Sequence, residues 1–416
     1  MNWFLTLSPG IAVSELSNLD QIDITGKKVF LRVDFNVPLI EGKIISDIRI
    51  LEAIPTIKLI LSKGAAVIIG SHLGRPKGKI IPELSISPIA DILKQHLKLT
   101  NIMVASDVIG ESAISLSAKL LPGDVMFLEN LRFESGEETN DLEMAKVLAS
   151  MADVFVNDAF SCSHRAHSSV LGITSFLPSV AGLSMQKEID MLNKVLKKPI
   201  KPVTAIVGGS KISTKLAILE HLIEKVDHMI IGGAMANTFL FANGYSVGKS
   251  LFESDMLETA RNILKEAQLK SCSISLPKDA MVAEDLENKE GIETVDVERV
   301  PEEKMILDIG PRTSRVISRV FSQSKTLLWN GPLGVFETKP FDTGTILAAK
   351  SVAKLTNKGS LISVAGGGDT LAALDMAGVV EDFSHVSTGG GAFLEWLKGD
   401  LLPGIEALIT NRSKDI

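Results

Sequence analysis

Short apolar, β-branched runs alternate with longer amphipathic stretches along most of the 416-residue chain. In the first half, Lys28–Val33, Ala65–Gly70, Ile102–Ala105, Asp124–Leu128 and Val154–Asn157 read as strands. In the second half, Val203–Val207, His228–Ile231, Ile274–Leu276, Thr326–Trp329 and Leu361–Val364 do. Strands that are apolar throughout, rather than at every second position, are buried on both faces, and helical segments between them imply a parallel sheet. One open sheet rarely holds so many strands, and one core rarely serves so long a chain. The pattern therefore predicts an α/β protein with two doubly wound, Rossmann-like parallel-sheet domains.

Between the halves, Met185, Ile189, Leu192 and Leu196 recur at helical spacing, and Lys198-Pro199 and Lys201-Pro202 follow. A single helix ended by prolines midway along the chain reads as a stiff connector. The expected organisation is a first domain over residues 1–183, a hinge helix over 184–199 and a second domain over 200–399. Residues 1–20 read as a loosely specified extension.

Composition narrows the function. Forty-three Lys and Arg against fifty Asp and Glu give a net charge of −7, which argues against a general nucleic-acid role, because binding a phosphate backbone needs a basic surface. Any anion site must then be a local concentration of cations. The two cysteines, Cys162 and Cys272, form no C-x-x-C pattern, which suits a reducing compartment and excludes a disulfide scaffold. The first ten residues lack a basic region and are cut short by Pro9; with no leader or membrane span read, a cytoplasmic location is expected.

Ligands of open parallel sheets bind beyond the carboxyl ends of the strands. In the first half those ends lead into Arg32-Val-Asp34-Phe-Asn36, Ser71-His72-Leu-Gly74-Arg75, Glu129-Asn-Leu-Arg132 and Ser163-His164-Arg165-Ala-His167, with Arg49 shortly after the first loop. Taken singly, each arginine is better explained as a solvated surface residue or ion-pair partner. Together, arginines and histidines interleaved with Asp34 and Asn36 make a cup for a small polyanion, because guanidinium groups match phosphate and carboxylate oxygens in pairs.

In the second half the strand ends lead into glycine: Gly208-Gly209-Ser210-Lys211 with Lys215, Gly232-Gly233, Asn330-Gly331-Pro332-Leu-Gly334 with Glu337, Gly366-Gly367-Gly368-Asp369-Thr370, and Gly389-Gly390-Gly391. Each pair could serve only tight turns. As a set they suit backbone N–H groups closing on phosphate at helix N-termini. Lys211 and Lys215, four apart, are expected on one helical face, and Asp369 offers a hard carboxylate for Mg²⁺. Gly244-Tyr-Ser-Val-Gly248-Lys249-Ser250 is one residue short of a Walker A loop and follows a helical stretch, so it reads as an inter-helix loop. Leu371 stands where a dinucleotide fingerprint needs its third glycine. Cys162 near His164 suggests a thiol–imidazole pair, with a packed, inert thiol as the plainer reading.

Across residues 26 to 404 these segments resemble phosphoglycerate kinases: RVDFNVP (32–38), SHLGRPKG (71–78), LENLRF (128–133), HRAHSS (164–169), GGSKISTK (208–215), WNGPLGVFE (329–337), GGGDT (366–370) and STGGGA (387–392). The resemblance implies a monomeric, hinge-bending glycolytic enzyme that moves a phosphoryl group between 1,3-bisphosphoglycerate and Mg-ADP, giving 3-phosphoglycerate and ATP. It implies phosphoglycerate binding by Asp34, Asn36, Arg49, His72, Arg75, Arg132 and Arg165. Lys211 and Lys215 would contact nucleotide phosphates, Glu337 the ribose and Gly310 the adenine end. Gly367, Gly368, Asp369 and Thr370 would take the phosphates and metal, and Gly389 and Gly390 would add a helix N-terminus. Arg49, Lys215 and Lys211 are the implied catalytic residues, and the segment 400–416 is expected to pack on the first domain. Departures from the family's usual pattern are Ser161-Cys-Ser163 before the HRAH run, Ile48 before Arg49, and the longer amino-terminal extension. A non-catalytic two-lobed binding protein would explain the arginines but not the lysines and GGGDT; an NAD-dependent dehydrogenase is the rival enzyme.

Overall fold

The computed structural model describes residues 16–40, 43–287 and 291–411. The chain forms two compact units, one running to Asp190 and including the residues from Leu401, the other Met191–Asp400. The boundary falls inside the helix Leu183–Leu196.

The first unit contains β1 (Lys28–Arg32), β2 (Leu39–Ile40), β3 (Lys43–Ile44), β4 (Ala66–Gly70), β5 (Met103–Val104), β6 (Val125–Phe127), β7 (Val154–Asn157) and β8 (Ser179–Ala181). Six of these make one parallel sheet in the order β5-β6-β4-β1-β7-β8, and β2 pairs with β3 as an antiparallel hairpin. Val29, Leu31, Val67, Ile69, Val125, Phe127, Val154 and Val156 pack into one core with Ile50, Ile57 and Leu93 of the covering helices. Their alternates Phe30, Ile68, Met126 and Phe155 are as fully buried on the other face. Burial on both sides is why these strands read as unbroken apolar runs. The winding reverses between β1 and β7, and Arg32 stands level with Gly70 and with Asn157 at the carboxyl edge. The loops opening at Val33, Ser71 and Asp158 therefore share one rim.

The second unit contains β9 (Val203–Val207), β10 (His228–Ile231), β11 (Ser273–Ser275), β12 (Asp279–Ala283), β13 (Glu293–Asp296), β14 (Met305–Ile309), β15 (Thr326–Asn330), β16 (Ile362–Gly366) and β17 (His385–Ser387). Its parallel sheet runs β11-β10-β9-β15-β16-β17 and reverses between β9 and β15, where Val207 is level with Ile231 and Asn330. Both sheets carry the expected doubly wound topology. The antiparallel sheet β13-β12-β14 was not expected from the sequence; β13 is mostly exposed, so it lacks the apolar run on which the strand reading relied. The three-residue edge strands β8 and β17 were not among the expected strands. The strand expected at Ile274–Leu276 lies one residue earlier.

The helix Pro403–Thr410 belongs to the first unit, where Gly404 N donates to Ser163 O at 2.9 Å. Of the extension expected over residues 1–20, the first fifteen lie outside the described residues, as do 412–416 of the tail. Among the described residues, no helix is long and apolar enough to cross a membrane.

Candidate functional site

At the winding reversal of the first unit, the loop after β1 and the helix Ile48–Ser62 bring Asp34, Asn36 and Arg49 together. Arg49 Nη1 donates to Asp34 Oδ2 at 2.6 Å and to the Asn36 carbonyl at 3.2 Å. Ser161 Oγ also donates to Asp34 Oδ2, and Asn36 N donates to Oδ1. Burial alone would raise the Asp34 carboxyl, but the neighbouring His72, the Arg49 cation and these donors more than offset it and hold it below the usual carboxylate range.

The loop after β4 is tied to the same cluster. Gly74 N donates to Asn36 Oδ1 at 2.9 Å, and Arg132 Nη1 donates to Gly74 O at 2.7 Å. Arg75, next in the chain, is exposed. Arg132 is buried and also faces Glu138 at 3.2 Å. Arg165 Nε donates to His164 Nε2 at 3.0 Å, and its charge reaches His167 and Arg132. Burial, reinforced by the Arg32 charge, holds the His72 imidazole well below its usual pKa. The Cys162 thiol lies 3.9 Å from the His72 imidazole. Burial pushes the thiol up, which matches the plainer reading of an inert, packed cysteine.

At the winding reversal of the second unit the backbone closes tightly. A Cβ on Gly208 would collide with the Pro332 carbonyl, and one on Gly233 would lie 2.5 Å from the Gly209 carbonyl, at a φ of +68°. Only glycine permits both approaches. Lys215 Nζ donates to Asn330 Oδ1, and Asn330 Nδ2 donates to Gly366 O at 2.7 Å. Gly331 N donates to Thr370 Oγ1 at 2.7 Å, which joins the WNGP and GGGDT loops. Burial lowers the Lys215 pKa while the Asp369 charge raises it, so ammonium and carboxylate feel one another. Asp369 lies exposed in the first turn of the helix Gly368–Met376, and Gly367 caps that helix at a φ of +100°.

One expectation needs correction. The helix after GGSKISTK starts at Leu216, so Lys211 sits in the preceding turn and the two lysines do not share a helical face. Gly389 and Gly390 precede a helix of only seven residues, and the Gly389 N–H is already donated to Ser387 Oγ.

A cavity of about 380 Å³ lies within this unit, lined by Gly209, Gly233, Asp308, Leu333, Glu337 and Asp369 among others. Much of its wall is apolar, from Leu286, Ile306, Leu307, Ile309, Val335 and Phe336, as a site for a flat aromatic base with a sugar requires. Gly310 is not among its lining residues, although its neighbour Ile309 is. Gly310 caps the helix Pro311–Gln323, and a Cβ there would strike the Asp279 carboxylate.

Sequence reasoning passed over Asn330 and Asp308. Asn330 ends β15 at the reversal, a position that could have singled it out. Asp308 is a lone acid inside the apolar run Met305–Ile309, a visible signal. It accepts from Gly344 N at 2.6 Å and Ile309 N at 2.8 Å, yet burial outweighs both donors and raises it to about 7.

Comparison with known proteins supplies the family. The phosphoglycerate kinase family model matches residues 19–400. The chain belongs to the phosphoglycerate kinase family. It is 50% identical over 390 residues to a phosphoglycerate kinase of Cereibacter sphaeroides, a match covering 94% of this chain and 98% of that one. It is 51% identical over 385 residues to one from Methylorubrum extorquens, covering 92% and 96%. The phosphoglycerate kinase structure from Coxiella burnetii superposes with a TM-score of 0.89 at 41% identity, covering 96% of this chain and all of that one (100%). The enzyme from Pyrococcus horikoshii gives 0.80 at 32%, with 96% and 100% covered. Phosphoglycerate kinases are phosphotransferases, and the chain is therefore an enzyme of that class.

Proposed function

We propose that the chain catalyses reversible, Mg²⁺-dependent phosphoryl transfer between 1,3-bisphosphoglycerate and ADP, yielding 3-phosphoglycerate and ATP. The observation that carries this reading is the contrast between the two winding reversals: one bears cationic side chains, the other bare backbone and a base-sized cavity. Phosphoglycerate is bound by Asp34, Asn36, Arg49, His72, Arg75, Arg132 and Arg165. The nucleotide is bound by Lys211, Lys215, Glu337, Gly367, Gly368, Asp369 and Thr370, with Gly310 toward the adenine end and Gly389 and Gly390 nearby.

Asp369 suits Mg²⁺, which takes one or two carboxylates and keeps its remaining positions for water and phosphate oxygens. When bound, the ion neutralises charge on the nucleotide phosphates. The acceptor carboxylate is already ionised at neutral pH and needs no general base. Catalysis then rests on positioning and on charge stabilisation of the moving group. Arg49 serves from the first unit; Lys215, with Lys211, serves from the second. Burial lowers the Lys215 pKa, and the Asp369 charge opposes that shift.

The reading includes a monomeric, cytoplasmic enzyme of glycolysis and gluconeogenesis that bends at the helix near residues 184–197. A coupled assay with ATP, Mg²⁺ and 3-phosphoglycerate, repeated with GTP, tests the activity. Turnover that needs all three components supports it; binding of phosphoglycerate without turnover returns the chain to a binding protein. A scattering envelope that stays the same with both ligands bound contradicts the bending.

A further inference from the structure

Among the described residues, Arg32 is the largest charged side chain to be fully buried. Its position is over-determined. Nε donates to Ser169 Oγ at 2.8 Å, Nη1 donates to the Val33 carbonyl, and Nη2 lies 3.2 Å from His72 Nδ1. Ser169 spends its own proton on Glu137 Oε1 at 2.6 Å, and its N–H donates to Glu137 Oε2 at 3.0 Å. The hydroxyl oxygen is thereby left as an acceptor for Arg32. Glu137, fully buried, is 3.9 Å from Arg32 Nη2 and balances its charge. The hydrogen-bond directions run one way, from arginine to serine to carboxylate.

That order has a consequence for His72. A guanidinium has donors only and does not lose its proton in proteins. The 3.2 Å contact to Nδ1 is a hydrogen bond only if Nδ1 is the acceptor, and a neutral imidazole whose Nδ1 accepts carries its proton on Nε2. The competing acceptor, Asp34 Oδ1, is 4.0 Å from Nδ1, beyond hydrogen-bond reach. The remaining groups that act on the ring agree. Burial and the charges of Arg32 and Arg132 oppose a proton on it, and Asp34 favours one. Asp34, His72 and Cys162 each offer a ligand atom within 4.8 Å of the others, as a metal site would. Yet Nδ1 is spent on Arg32, whose guanidinium also stands 3.7 Å from the Cys162 sulfur, so a cation has no place among them.

We infer that Arg32 is a positioning residue that locks His72 as the neutral, Nε2-protonated tautomer, so that His72 meets phosphoglycerate as an uncharged hydrogen-bond donor. The cup then draws its charge from arginines, and His72 adds no titration of its own in the ordinary histidine range. The inference rests on the proposed binding role of His72.

The test is long-range nitrogen–proton correlation spectroscopy on the full-length protein, with His72 assigned by loss of its signals in His72→Gln. The expected wild-type spectrum has a bare Nδ1 and a protonated Nε2, unchanged between pH about 7.5 and about 5.5. A proton on Nδ1, or an imidazolium in that range, overturns the inference without any variant. Arg32→Lys keeps the charge but cannot reach both partners. It is expected to populate the Nδ1-protonated form facing Asp34 and to raise the phosphoglycerate KM about tenfold, the ATP KM holding steady. A folded Arg32→Lys with the wild-type tautomer also overturns it. If the tautomer is as expected but His72→Gln leaves the phosphoglycerate KM unchanged, the fault lies with the binding role of His72 and not with the lock.

Discussion

The two units wind their parallel sheets in the same sense, each reversing direction between its first strand and the strand that returns on the other side, at β1/β7 and at β9/β15. At both reversals a crevice opens beyond the carboxyl ends, as the topology requires. What fills it differs. The first unit lines its crevice with long side chains held by their neighbours: Arg49 by the Asp34 carboxylate, Arg132 by the Gly74 carbonyl, His72 by the buried Arg32. The second removes side chains, so that Gly208 meets the Pro332 carbonyl and Gly233 meets Gly209 at van der Waals range. One sheet plan thus supports two opposite ways of binding an anion, by charged side chains or by exposed backbone. A small, variable acid suits the first; a diphosphate common to all nucleotides suits the second.

The comparison can be broken by variants, beginning with the largest expected effect. Arg49→Ala and Lys215→Ala are each expected to cost about 100- to 1000-fold in kcat, about 3 to 4 kcal/mol, with the fold intact by circular dichroism. Near-normal turnover in either removes it from the chemistry. Gly208→Ala adds a Cβ where a backbone carbonyl already lies, and it should destabilise the second unit by about 3 kcal/mol in urea unfolding. Alanine in place of the exposed Arg75, by contrast, should change stability by less than about 0.5 kcal/mol. Equal costs would erase the distinction between a side-chain site and a backbone site.

The smallest effect is in the pH dependence of the two units, whose buried groups pull in opposite directions. In the first, burial and the charges of Arg32 and Arg132 lower His167 to about 3 from 6.5. A base with a lowered folded pKa adds stability above pH 6.5, and that contribution is lost as pH falls toward about 3. In the second, burial raises Asp308 to about 7 from 3.8, so its contribution is present below pH 3.8 and lost as pH rises toward 7. Asp158 in the first unit, raised to about 6 by burial, partly offsets the histidine. Each group alone changes stability by at most about 1.4 kcal/mol per pH unit, and by less after solvent screening. His167→Gln should flatten the acid loss of the first unit, and Asp308→Asn the alkaline loss of the second, in hydrogen exchange resolved by unit. Slopes unchanged by either substitution refute the assignment.

Most of the fold was legible because strands buried on both faces leave unbroken apolar runs, as in Phe30–Leu31 or Ile230–Ile231. In the three-stranded sheet, β13 was not, because it turns Glu293, Thr294 and Asp296 outward and leaves no such run. The chemistry of the strand ends was legible as residue types, and the loops do gather Asp34, Asn36, Arg49 and Arg132 through hydrogen bonds, with His72 held by Arg32 beside them. Orientation was hidden. The spacing of Lys211 and Lys215 implied a helix that begins only at Leu216. Nor did the sequence reveal that Arg32 turns inward to serve His72 while Arg75 stays exposed, since an arginine at a strand end reads alike in either pose.

The most direct measurement is calorimetric titration of each ligand into Arg75→Ala and Asp369→Ala. The account predicts that Arg75→Ala weakens 3-phosphoglycerate by about tenfold and leaves Mg-ATP within about twofold, and that Asp369→Ala does the reverse. A loss of Mg-ATP affinity in Arg75→Ala, or of 3-phosphoglycerate affinity in Asp369→Ala, would contradict it.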